Sequence, residues 1–185
     1  MTRMMKAIVS LIVACVAAGC VNLGDKPYPA SLGQRPTVMS GDCANISGEF
    51  ENDPGPLVNA FWNKDEWDKW TDTSGVTHYR IEQSPDTIAI SAWRGPQMLS
   101  RQELHRDSSD GYLCTSEGVS RGGGRKQVDN LLGFTTITFV LFKTDKGSLV
   151  LEKKESLGGL ALGALPVHGT DREWFEFRSH SGQIR

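Results

Sequence analysis

Several common signals are scarce in this 185-residue chain, and each scarcity excludes something. The longest apolar run, AIVSLIVACVAA over residues 7–18, is about half of the roughly 20 residues that a membrane-crossing helix needs. There is no HExxH and no CxxC, and the four histidines, His78, His105, His168 and His180, are scattered without ligand spacing. No metal and no cofactor are therefore expected. Charge of one sign is missing too: 20 Lys plus Arg stand against 22 Asp plus Glu, a net of −2. Such a balance argues against nucleic acid or an anionic membrane surface as the main partner. Cysteine is limited to Cys15, Cys20, Cys43 and Cys114.

The chain opens on MTRMMK, with Arg3 and Lys6 and no acid, before the apolar run and the small residues Ala17-Ala18-Gly19. A basic start, a short apolar centre and small residues at its end describe a secretory leader over residues 1–19. The stretch VAAGC, Val16 to Cys20, resembles the lipobox of bacterial lipoproteins. That resemblance implies cleavage before Cys20, acylation of its thiol and amine (palmitate among the acyl chains), and a lipid bilayer as the first partner. It also implies sorting. An aspartate after the cysteine commonly retains such proteins at the inner membrane; here Val21 follows, so the outer membrane, facing the periplasm, is expected. Two or more acyl chains make such an anchor stable. Cysteine parity agrees, because losing Cys15 and acylating Cys20 leaves Cys43 and Cys114 as an even pair for an oxidising compartment.

Residues 20–42 follow as the anchor and a tether. VNLGDKPYPASLGQRPTVMSGD has three prolines, three glycines and few large apolar side chains, a composition that reads as flexible chain. A single domain is expected over 43–178, 136 residues, and a C-terminal tail over 179–185.

Within the domain, turn residues separate short β-rich runs: GEFEN, VTHYRIEQ, DTIAISAWRG, GYLCTSEG, TTITFVLFKT, GSLVLEKKE and REWFEFRSH. Ile88-Ala89-Ile90-Ser91-Ala92 alternates as a half-buried strand does, while Thr136 to Phe142 is apolar at nearly every position, as in a central strand. Asp145-Lys146-Gly147 fits a three-residue hairpin with glycine at the left-handed position. MLSRQELHR leans to strand, and LGGLALGALP to an irregular one. One helix is expected, Leu57 to Trp70, entering after Asp53-Pro54-Gly55-Pro56. The expected fold is mainly β: an antiparallel, barrel-like meander of about eight strands with one flanking helix. In outline this is similar to lipocalin-type folds, although the G-x-W start of that family is absent. CANISGEFEN, YLCTSEG and LPVHGTDREWFEF also look like segments of small uncharacterised proteobacterial outer-membrane lipoproteins.

Candidate sites are few. Cys43 and Cys114 bracket the first strands and suit a disulfide, with a two-cysteine metal site as the rival. Gly118-Val119-Ser120-Arg121-Gly122 matches the G-x-S-x-G of serine hydrolases, with Asp129 or Asp171 and His168 or His180 as conceivable triad partners. That motif requires a strand, a strained turn and a helix, and Gly122-Gly123-Gly124 discourages the helix. SRGGGRK offers Arg121, Arg125 and Lys126 on a glycine-rich loop that could hold a phosphate or carboxylate; a solvated hairpin is the plainer reading. Trp62, Trp67 and Trp70, with Asp65 and Asp68, could stack a sugar or simply bury themselves. Trp93, Ile90 and Phe139 are candidate lining for an apolar ligand. The resulting expectation is a non-enzymatic lipoprotein binding a small apolar molecule or a partner protein. A ligand-free structural or envelope-assembly lipoprotein is the alternative, and a hydrolase using Ser120 a distant one.

Overall fold

The computed structural model describes residues 25–36, 42–51, 57, 61, 75–127, 131–161 and 165–180. Nine strands follow a short 3-10 turn at Ala30–Leu32: β1 Gly48–Glu51, β2 His78–Gln83, β3 Thr87–Arg94, β4 Gln97–His105, β5 Leu113–Thr115, β6 Gly118–Gln127, β7 Leu131–Lys143, β8 Leu149–Ala161 and β9 Leu165–Phe177. They form two antiparallel sheets, ordered β1-β2-β3-β4 and β5-β6-β7-β8-β9. The mainly-β expectation holds. No closed barrel and no flanking helix are defined among the described residues. Of the helix expected over Leu57–Trp70, only Leu57 and Phe61 are described; both are locally helical and fully buried. Trp62, Trp67 and Trp70 lie outside the described residues, as do Asp65 and Asp68.

Local chemistry accounts for the strands. In β2 and β3 the pairs Tyr79↔Ala92 and Ile81↔Ile90 put Tyr79, Ile81, Ile88, Ile90 and Ala92 on one face, all buried. The opposite face carries His78, Arg80 and Glu82, as period-two alternation requires. MLSRQELHR lies within β4 and its flanks, paired to β3 from Thr87↔His105 to Arg94↔Gln97. The β7–β8 turn is the expected three-residue hairpin: the Thr144 N–H donates to the Ser148 carbonyl at 2.9 Å, and Gly147 has φ +81°. A side chain there would strain the backbone. The run ending β7 is apolar throughout because both of its faces are covered. Phe139, Val140, Leu141 and Phe142 are all buried, and Phe142 packs with Val150 and Leu32.

The chain divides into two compact units. The larger comprises Tyr28–Gly123, Thr138–Lys153 and Glu173–Arg185; the smaller comprises Gly124–Ile137, Lys154–Arg172 and the residues up to Pro27. Strands β6 to β9 each contribute to both.

In the larger unit the segment from Tyr28 to Arg35, expected as part of a flexible tether over 20–42, is docked. Tyr28 sits edge-on against Trp174 at 5.1 Å between ring centroids, and Leu32 is buried against Phe142 and Val150. The Gln34 N–H donates to Asp145 Oδ1 at 2.9 Å, and Lys146 Nζ donates to the Ser31 carbonyl at 2.8 Å. Arg35 donates from Nη2 to Glu152 Oε2 at 3.0 Å and lies over the Phe142 ring at 4.5 Å. The proline- and glycine-rich composition concealed this, because two aromatic or aliphatic side chains and one guanidinium suffice to fix eight residues. In the smaller unit, Asp25 bridges to Arg172 through the backbone and by an ion pair of 3.3 Å.

Candidate functional site

Cys43 and Cys114 form a disulfide, with Cα atoms 4.8 Å apart, inside the usual span of such bonds. It joins the residues before β1 to the middle of β5, closing a loop that contains the whole four-stranded sheet. Beside it lies an open cavity of about 310 Å³ lined by Asp42, Cys43, Asn45, Gln83, Ser84, Pro85 and Arg106. Its polar groups are partly engaged: Gln83 Oε1 accepts from the Ile46 N–H at 2.9 Å, and Arg106 pairs with Asp107 at 3.5 Å.

The outer face of the four-stranded sheet carries a stack of rings. His78 and Trp93 are register partners, 6.1 Å apart between ring centroids and 12° from parallel. On the other side of His78 lies His180, at 4.7 Å and 2°. Arg80 sits over Trp93 at 4.8 Å and donates to Glu49 Oε1 at 2.8 Å. The Trp93 indole N–H donates to Ser91 Oγ at 2.8 Å, and His78 Nδ1 is 3.0 Å from Thr77 Oγ1. His180 arrives because its N–H donates to the Glu49 carbonyl, setting residues 178–180 along β1. The histidines look unrelated in the sequence, since 102 residues separate His78 from His180. Only the placement of His78 beside Arg80 and Glu82 on a polar strand face was legible.

Burial, reinforced by His180 and Arg80 and opposed by Glu49, holds the His78 imidazole below its usual range. A depressed histidine binds fewer protons folded than unfolded, so stability should be fully present above about pH 6.5 and fall as pH drops through that value toward the folded pKa. Thermal melts across this range should show that loss, and His78→Gln should flatten it. A slope unchanged in His78→Gln would remove His78 as its source.

The other candidates are placed as follows. Ile90 is fully buried and Phe139 nearly so. Trp93, three residues after Ile90 on the same strand, faces the opposite side, so these two cannot line one cavity. Ser120 lies in a regular antiparallel strand, opposite Leu113. The glycine before it serves the fold: Gly118 has φ +140°, and a Cβ there would come 2.3 Å from the Leu141 carbonyl oxygen. The motif thus lacks the strained strand-to-helix turn of a nucleophile elbow. His168 and Asp171 belong to the smaller unit and Ser120 to the larger; Asp129 lies outside the described residues.

SRGGGRK is not a loop but the body of β6. Arg121 and Arg125, four residues apart on a strand, are separated by about 13 Å of rise, and Lys126 points to the opposite face from Arg125. The three cations therefore do not converge on one small anion. Arg125 instead lies over the Phe134 ring at 3.8 Å. Among the described residues, no group of three or more His, Cys, Asp or Glu is placed to hold a metal ion, and no helix is long and apolar enough to cross a membrane. Cys20 lies outside the described residues. Compared with known proteins, the chain matches no family, no curated protein and no solved structure.

Proposed function

We propose that the chain is a lipid-anchored, non-enzymatic envelope protein, held through acylated Cys20 at the outer membrane and facing the periplasm, that acts through contacts with a partner protein. The observation that carries this reading is the bond between Cys43 and Cys114. With those two joined, and Cys15 inside the apolar leader, Cys20 is left for acylation, and its neighbours Ala17-Ala18-Gly19 suit the cleavage that precedes it. Surface action is favoured over carriage of a small apolar molecule because the expected lining residues divide between two faces of the sheet. The half-exposed ring of Trp93, beside the exposed Met98 that pairs with it, is the type of surface that protein partners use.

The larger unit is best read as a closed strand ring. Two isolated bridges support this: Arg106↔Tyr112, where β4 gives way to β5, and Phe50↔Ser179, where the residues after β9 meet β1. The Glu51 N–H donating to the Arg178 carbonyl at 2.8 Å strengthens the second junction. Together with the two sheet orders, these junctions support reading the described strands as a circuit. A ring of this kind removes exposed sheet edges.

Native mass spectrometry of the full-length protein, extracted gently from its own membrane, tests the anchor and the action together. Acyl mass on a chain beginning at Cys20, and an unprocessed precursor in Cys20→Ala, are expected. A bare mature chain would defeat the anchor. A stoichiometric protein companion is the expected additional mass; a small-molecule adduct would favour an apolar ligand, and a lipidated monomer alone the structural role.

A further inference from the structure

We propose that the smaller unit carries a docking face for an anionic phospholipid bilayer, built on Phe134, Leu160 and Arg125. Its location relative to a membrane rests on the acylation of Cys20 proposed above.

Phe134 and Leu160 are 43% and 39% exposed, large values for such side chains. Counting back from the Thr144–Ser148 hairpin pair places Gly133 opposite Gly159. Consistent with this, a Cβ on Gly133 would come within 2.8 Å of the Gly159 Cα. Alternation then puts Phe134 and Leu160 on one face of β7 and β8. Arg125, which is exposed, lies across the Phe134 ring on the adjacent strand β6. Exposed apolar side chains mixed with cations are what an anionic interface rewards: the rings and aliphatic chains enter the headgroup boundary while the charges meet phosphate.

Charge chooses the occupant. The whole chain is slightly acidic, but its units differ. Counted over its sequence from Cys20 on, the smaller unit has Lys26, Arg125, Lys126, Lys154 and Arg172 against Asp25, Asp129, Glu155 and Asp171, a net of +1. The larger unit, counted over its sequence, has 13 Lys plus Arg against 18 Asp plus Glu, a net of −5. The overall balance thus hides units of opposite sign. A second copy docking through the same face would set positive on positive.

The chain's path supplies the second argument. Asp25 is fixed to Arg172 within this unit, and only five residues separate it from Cys20. Fully extended they span at most about 18 Å. An acyl anchor at Cys20 therefore holds this particular unit close to the headgroups.

The test uses the chain from Val21 to Arg185, which holds every described residue and carries no acyl group, with two kinds of vesicle: phosphatidylglycerol mixed with phosphatidylcholine, and phosphatidylcholine alone. Co-sedimentation with the first and not the second is expected, lost at high salt. Arg125→Gln should reduce partitioning about five-fold. Phe134→Ser with Leu160→Ser should reduce it at least about ten-fold, with melting unchanged because both side chains are exposed. No binding to the anionic vesicles, or binding indifferent to both variants, would overturn the proposal. Self-association abolished by Phe134→Ser would assign the face to a second copy instead. The anchor is read separately, by the mass of the membrane-extracted chain. Vesicle binding with a bare Cys20 would leave the docking face standing and remove only the anchor; acylation without vesicle binding would do the reverse.

Discussion

Replacing Cys43 and Cys114 together by serine is expected to lower the unfolding free energy by about 4 kcal/mol. The bond closes a loop with a sequence separation of 71, and the chain-entropy cost of leaving a loop of that size open in the unfolded state is of this order. The loop matters because of its contents. All of β1 to β4 lies between the two cysteines, so the bond restrains an entire sheet in the unfolded chain rather than a surface turn. Changing both residues avoids a stray thiol that could mispair. Urea denaturation monitored by tryptophan fluorescence should show the midpoint fall, and reductant should bring the natural chain to the midpoint of the double variant. If neither treatment moved the midpoint, the cross-link would contribute nothing to stability.

Arg35→Ala should be the next most damaging change, costing about 3 kcal/mol. Its partner Glu152 has a side chain only 3% exposed, while the Arg35 side chain is 28% exposed. Removing the cation takes the Arg35 ion pair from a carboxylate that the fold has already withdrawn from water. It also strips the Phe142 and Trp174 rings of the group that lies over them, at 4.5 and 5.8 Å. The test is a comparison. Arg35→Met with Glu152→Met, which replaces both charges by apolar side chains of similar length, should recover most of the loss, because a buried pair contributes less to stability than breaking it removes. A loss of under about 1 kcal/mol in Arg35→Ala would mean that the pair behaves as an exposed one.

Features set by local chemistry could be read from the sequence directly. Alternation along β2 and β3, the glycine of the β7–β8 hairpin and the pairing of Cys43 with Cys114 all emerged as expected. Features set by distant partners could not. Gly122-Gly123-Gly124 looks like a loop because glycine is poor in strands, yet β6 continues through it, with Gly124 at φ +98°, since its neighbours in the sheet supply what glycine propensity does not. Tyr28 to Arg35 looks like tether because its anchoring side chains are widely spaced and their pockets lie more than a hundred residues away. His78 and His180 meet only because the residues after β9 pair with β1. The positive balance of the smaller unit was hidden for a different reason: a net charge sums over units that differ in sign.

The pairing between residues 178–180 and β1 also bears on the order in which the protein can become complete. Phe50 and Ser179 are 129 positions apart, so one side of β1 has no partner until almost the whole chain has been made. Contacts of such sequence separation form late and slowly. Until then, an aromatic side chain that ends fully buried, Phe50, sits on an unfinished strand edge, the kind of surface that chaperones shield. A ribosome or translocation pore releasing this chain from its N-terminus would therefore deliver the closing segment last.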